Sequence, residues 1–173
     1  MKTRKILSLI SALMLALAAP ASLAEGLALT DMAGREITLD APATRVIALN
    51  PADCEILYAL GAEDVLVGRG EYCNYPEAVL ELPSVNSGAE TNIEQILALE
   101  PDVIVMSKMA QTVEQVEALE AAGVRVVISD AQNLAGVYDA IAMLGELTGQ
   151  TEKAEELASW CEDTYAMMTA MME

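Results

Sequence analysis

Histidine is absent from all 173 residues. That removes the commonest transition-metal ligand, the usual general base and any Ser–His or Cys–His catalytic pair. A receptor for bare zinc or manganese is disfavoured on the same ground. Basic residues are scarce: nine Lys and Arg stand against 27 Asp and Glu, for a net charge of −18. Nucleic acid and anionic lipid both need Lys or Arg to neutralise them, so neither is an expected partner. Phosphate-cradling glycine motifs are missing too. No Gly-x-Gly-x-x-Gly follows a first strand, and no Lys-Ser/Thr phosphate loop occurs. Gly68-Arg69-Gly70 is a poor substitute, because arginine and bulky neighbours do not form a cradle. A nucleotide-binding enzyme is therefore a weak reading. A nucleophile at Cys73 would lack a histidine to activate it. The chain reads as a non-enzyme with no resident cofactor or metal.

The chain does have an export pattern at its start. Met1 to Lys5 is a short basic head, and residues 6–19 are apolar apart from Ser8 and Ser11. Ser22 and Ala24 then place small residues at the −3 and −1 positions of a cleavage site before Glu25. This is the three-part form of a secretory signal peptide, residues 1–24, and the apolar run is short for a membrane span. Its removal leaves 149 residues, enough for one domain with a core, and takes the net charge to −21. The expected location is periplasmic or otherwise extracytoplasmic. An oxidising compartment allows one disulfide among Cys54, Cys73 and Cys161 and leaves one thiol over. Spacing does not pair them. None lies at the cleavage site, so a lipid-anchored start has no support.

Residues 27–30 and 36–39 alternate apolar and polar around Asp31-Met32-Ala33-Gly34, which predicts a β-hairpin. Runs rich in Val and Ile at 45–49, 65–68, 102–106 and 124–128 predict buried strands. Between them lie helix patterns at 55–60, 77–80, 112–122 and 134–147. Val113, Val116 and Leu119 share one helix face, as do Leu134, Val137, Ile141 and Leu144. Alternating strands and helices predict a parallel sheet covered on both faces, a Rossmann-like α/β lobe over residues 25–150. Right-handed crossovers place the strand-to-helix loops along one carboxyl edge, where ligands bind in open α/β sheets. Residues 151–173 lack Gly and Pro and repeat apolar residues at 3–4 spacing from Ala154 to Met172. They predict one long helix whose methionine-rich end finds no partner core in the sequence.

In order along the chain stand Thr30-Asp31-x-x-Gly34-Arg35, Arg45-Val46-Ile47-Ala48-Leu49 and Leu60-Gly61-Ala62. Asn92-Ile93-Glu94 follows, leading into Leu99-Glu100-Pro101-Asp102-Val103, and then Ala122-Gly123-Val124. This ordered set resembles the periplasmic-binding proteins of iron-siderophore, haem and cobalamin ABC importers. The resemblance runs from about Thr30 onward. It implies two α/β lobes bridged by a long helix, with the ligand between them. Residues 151–173 would begin that interlobe helix, and the second lobe would be absent from a chain that is then a fragment. The implied partners are an ABC permease and its ATPase. The implied ligand is a corrinoid, ferric siderophore or haem, with a slight leaning to corrinoid. An isolated α/β interaction module without a transport role is the alternative.

The resemblance assigns Glu94 to permease docking through a salt bridge. The rival is local: Thr91-x-x-Glu94 fits a helix capping box. For the ligand, the loop at 69–76 is the main candidate, with Arg69, Tyr72, Cys73 and Tyr75. Tyrosine faces suit a planar macrocycle, and a phenolate can ligate iron. Packing of the loop onto the lobe is the competing role for one tyrosine and for Cys73. A Cys54–Cys73 bridge fits their shared edge. Asn50, Asp53 and Met109 also fall at strand ends and could line a cleft. Asp53 has a second reading as a helix-capping or first-turn acid, and Met106 reads as core.

Overall fold

A computed structural model of the chain describes residues 26–88, 91–108 and 112–172. The signal segment and Met109 lie outside them.

Side-chain alternation along the strands sets the two faces of the lobe. Strand β3 (Val46–Ala48) is flanked by β4 (Leu66–Gly70) and β6 (Val103–Met106), and β7 (Arg125–Ile128) pairs with β6. A fifth strand, β5 (Ser84–Val85), completes the parallel order β5-β4-β3-β6-β7. Sequence periodicity missed β5, because two residues carry no period. Val46, Ala48, Val103, Val105 and Val127 face one side of the sheet. They pack against the first helix, α1 (Pro51–Ala59), and the later α4 (Leu134–Thr148). Ile47, Ile104, Met106, Val126 and Ile128 face the other, against α2 (Ile93–Ala98) and α3 (Val113–Ala121). Met106 is core, as expected. The helical pattern near 77–80 is a 3-10 turn, Glu77–Glu81.

The hairpin forms as expected, β1 (Leu27–Thr30) against β2 (Glu36–Leu39). Its Thr-Asp-x-x-Gly-Arg connection is a docking device. Buried Asp31 accepts from Ala33 N, Arg35 N and Ile128 N. Arg35 Nε donates to Asp31 Oδ2 at 2.9 Å, Nη1 to Glu120 at 2.9 Å and Nη2 to the Val126 carbonyl at 2.6 Å. Gly34 takes the positive φ of 77° that the turn requires.

The helix faces expected from the pattern are buried only in part. Leu119, Ile141 and Leu144 are buried, but Val113 is 69% and Leu134 41% exposed. Both are the first residue of their helix. Helices in a parallel sheet start at its carboxyl edge, so their first turn overhangs the sheet and has nothing beneath it. Helix α5 (Thr151–Ala170) behaves likewise. Ala154 packs against Gly145 so closely that a Cβ there would overlap it. Leu157 and Cys161 continue onto the core, and beyond them Tyr165, Met168 and Met172 are exposed.

Candidate functional site

All five sheet strands run parallel, so the loops after β3, β4, β6 and β7 gather at one carboxyl edge. A hollow of about 380 Å³ opens there. It is lined by Asn50, Asp53 and Ile56 from the start of α1, Ser107 after β6, and Ser129, Asp130 and Gln132 after β7. A larger hollow of about 620 Å³ lies between the hairpin and α4. It is a groove beside the lobe, and its one buried acid, Asp31, is already engaged by the hairpin and by Ile128 N of β7. The carboxyl edge has the chemistry that remains unused.

Asp53 is the centre of that chemistry. Pro51 opens α1 and Asn50 is its N-cap residue, but the Asn50 side chain makes no cap bond. Asp53 follows in the first turn and is 1% exposed. Its Oδ1 accepts from Ser129 Oγ at 2.6 Å, which ties α1 to the end of β7. Its Oδ2 is buried without a hydrogen-bond partner. Burial pushes the carboxyl up to about 7, against the lowering influence of Ser129 and of the nearby Asn50 amide. A surface capping acid would be solvated and ionised. Asp53 is instead an inward-facing acid poised between its two protonation states. Asn50 and Asp53 were legible as candidates. Ser107, Ser129, Asp130 and Gln132 were not, although their loops were placed correctly at the edge. A serine after a strand has no pattern of its own, and only the Asp53 contact singles out Ser129.

The loop after β4 divides the sequence candidates. Tyr72 and Tyr75 are 69% and 65% exposed, open to a ligand on the same edge but outside the hollow. Arg69 turns back into its own loop. Its Nη1 donates to the carbonyls of Gly70 at 3.2 Å, Glu71 at 3.4 Å and Cys73 at 3.0 Å, and its Nε is buried without a partner. Cys73 is fully buried, so direct ligand contact through its thiol is corrected here to a core position. Its Sγ lies 3.6 Å from the Ala48 carbonyl, as does that of Cys54. The expected Cys54–Cys73 bridge is not closed: both are free thiols, each against the Ala48 carbonyl. Each thiol acts on the other: Cys73 beside it pushes Cys54 up, and Cys54 holds Cys73 down. Gly70 lets the loop leave β4 against the sheet, since a Cβ there would strike the Leu49 carbonyl.

Glu94 is exposed in the first turn of α2. The Thr91–Glu94 capping box does not form. Asn92 is the cap, its side chain accepting from Gln95 N at 3.1 Å, while Thr91 Oγ1 donates to Gly88 O at 2.6 Å. A capping box does form one helix later, between Thr112 and Gln115. The neighbouring Leu-Glu-Pro-Asp segment is a clasp. Asp102 Oδ2 accepts from Thr44 N at 2.9 Å, and its Oδ1 accepts from Arg45 N at 3.1 Å. Arg45 in turn donates to the carbonyls of Leu99 and Glu100.

A doubly covered parallel lobe with an open, polar carboxyl edge and a long following helix matches a family model described as periplasmic binding protein, over residues 46–172. The chain belongs to that family. It is 32% identical over 130 residues to an uncharacterised ABC transporter substrate-binding lipoprotein of Bacillus subtilis, covering 73% of this chain and 41% of that one. Among solved structures it is similar to a periplasmic vitamin B12-binding protein of Vibrio cholerae, with a TM-score of 0.68 and 31% identity. That match covers 75% of this chain and 51% of the other. It is also similar to a periplasmic haem-binding protein from Pseudomonas aeruginosa, with a TM-score of 0.67, 29% identity, and coverage of 70% and 44%. The chain thus spans about half the length of these relatives, all of them binding proteins. Among the described residues no helix is long and apolar enough to cross a membrane.

Proposed function

We propose that these residues form the N-terminal lobe of an extracytoplasmic substrate-binding protein that delivers a metal-chelate ligand to an ABC permease and its ATPase. The observation that carries this reading is the carboxyl edge itself. It combines a polar hollow around Asp53 with two exposed tyrosines on the adjoining loop. A few placed polar groups beside aromatic faces suit a large, partly planar ligand such as a corrinoid, haem or ferric siderophore. Tyr72 and Tyr75 would stack on the ligand or ligate its metal. Asn50, Asp53 and Ser129 would bond its polar substituents. Helix α5 would bridge to a second lobe, which would cover the exposed Tyr165 and methionines. The resemblance of the chain to B12- and haem-binding relatives supports this class, and corrinoid is the leading member.

The test is titration of the complete protein with cyanocobalamin, haemin and a ferric hydroxamate, followed by calorimetry. Saturable one-to-one binding of one of them, weakened about tenfold by Tyr72→Ala or Tyr75→Ala, is the expected result, given what a lost aromatic contact costs. Binding of none of the three would overturn the ligand class.

Glu94 is the proposed permease contact. It is exposed, and Asn92 caps the helix without it. Glu94→Ala in the complete protein should lower transport and leave ligand affinity unchanged. Unaltered transport would remove the docking role.

A further inference from the structure

Cys54 and Cys73 come from separate pieces of the carboxyl edge, the first turns of α1 and the loop after β4. Both are 0% exposed, and neither lines the hollow. Each Sγ sits 3.6 Å from the same acceptor, the carbonyl of Ala48 at the end of β3, so the two thiols converge on one point, and each shifts the other's ionisation. A pair of thiols converging on one carbonyl is more than core packing needs, since a small apolar side chain would fill either place.

We propose that Cys54 and Cys73 are a dithiol that closes to a disulfide during export, stapling the first cleft helix to the tyrosine loop. The oxidant is a disulfide, R–S–S–R, of a small molecule or an exchange enzyme. The Cys73 thiolate attacks one of its sulfurs, forms a mixed disulfide and expels RS⁻. Cys54 then loses its proton, and its sulfur attacks Cys73 Sγ and expels the second RS⁻. The protein thiols give up two electrons and two protons, and the oxidant leaves as two thiols. Because neither sulfur is exposed, exchange takes place as the chain folds, before α1 and the loop close over the pair. The staple would hold the Tyr72–Tyr75 loop at a fixed distance from Asn50 and Asp53. It stands whether or not the edge binds a chelate.

The test is differential alkylation of the complete protein, exported from the cell and purified without reductant. Free thiols are labelled in denaturant, the protein is reduced, and a heavier reagent labels what was released. Peptides are then read by mass spectrometry. The expected result is first label on Cys161, second label on Cys54 and Cys73, and one linked peptide pair before reduction. First label on all three residues, or a link that includes Cys161, would overturn the proposal. A second readout is thermal. Reductant should lower the melting midpoint of the wild type by on the order of 10 °C and leave that of Cys54→Ala unmoved. Equal midpoints for the wild type with and without reductant would also overturn it.

Discussion

The two edges of the sheet use the same residue types in opposite ways. At the amino edge, Asp102 and Arg45 satisfy each other's surroundings: the acid accepts from Thr44 and Arg45 backbone, and the base donates to Leu99 and Glu100 carbonyls. At the carboxyl edge, Asp53 and Arg69 each keep one buried polar atom without a partner, and these are the two such side-chain atoms among the described residues. At that closed amino edge no buried side-chain N or O among the described residues lacks a partner. The other holds unspent hydrogen-bonding capacity at a cost in stability. Folding alone does not require such an arrangement, and binding sites commonly contain it.

The largest expected effect tests that cost at Asp53. Its folded pKa is raised to about 7 from an ordinary 3.8. Between those values the folded state holds a proton that the unfolded state has released, so stability falls as pH rises through this window. The loss levels off above pH 7 at about 4 kcal/mol, from a shift of about three units. Below the unfolded pKa both states are protonated and the loss vanishes. Urea unfolding of the wild type and Asp53→Asn at a series of pH values checks this. The difference between them should change by about that amount from acid to neutral pH, and parallel curves would contradict it.

Next in size is Gly70→Ala, which forces a methyl against the Leu49 backbone where the tyrosine loop leaves the sheet. A loss of about 3 kcal/mol is expected, at the upper end for overpacking against backbone, and chemical denaturation measures it. At the closed edge, Asp102→Ala should cost about 2 kcal/mol, the loss of charged hydrogen bonds in a part-exposed setting. Ligand affinity of the complete protein should not change, because the carboxyl edge is at the far end of the strands. The smallest effect belongs to Glu94→Ala. Stability should stay within about 0.5 kcal/mol, as for an exposed residue that bonds nothing essential. A larger loss would return Glu94 to a capping role.

Much of the fold was legible because burial enforces period. The hairpin, the four main strands and the helices from 112 onward stand where apolar spacing put them. What failed was local and had physical causes. Strand β5 is too short for any period. The expected faces of α3 and α4 ran one turn too far, because the pattern does not say where a helix overhangs its sheet. The capping box was assigned to Thr91–Glu94, but Asn92 one residue later takes the cap by accepting from Gln95 N, while the Thr91 hydroxyl turns to the Gly88 carbonyl. The site was half legible. Residue types on predicted edge loops pointed to Asn50, Asp53 and the tyrosines, but the same rule included Cys73, whose thiol turns inward.

By itself the sequence determined the parallel α/β architecture, the acidic, histidine-free chemistry and the family, since these follow from composition, period and motif order. Only the tertiary structure decided which polar groups are spent and which are free. Asp31, Asp102 and Asp53 look alike as letters. Contacts from residues 97, 58 and 76 positions away engage the first two fully and leave Asp53 with one oxygen unbonded. Whether a buried carboxylate closes a fold or faces a ligand depends on partners that the chain brings together from distant positions.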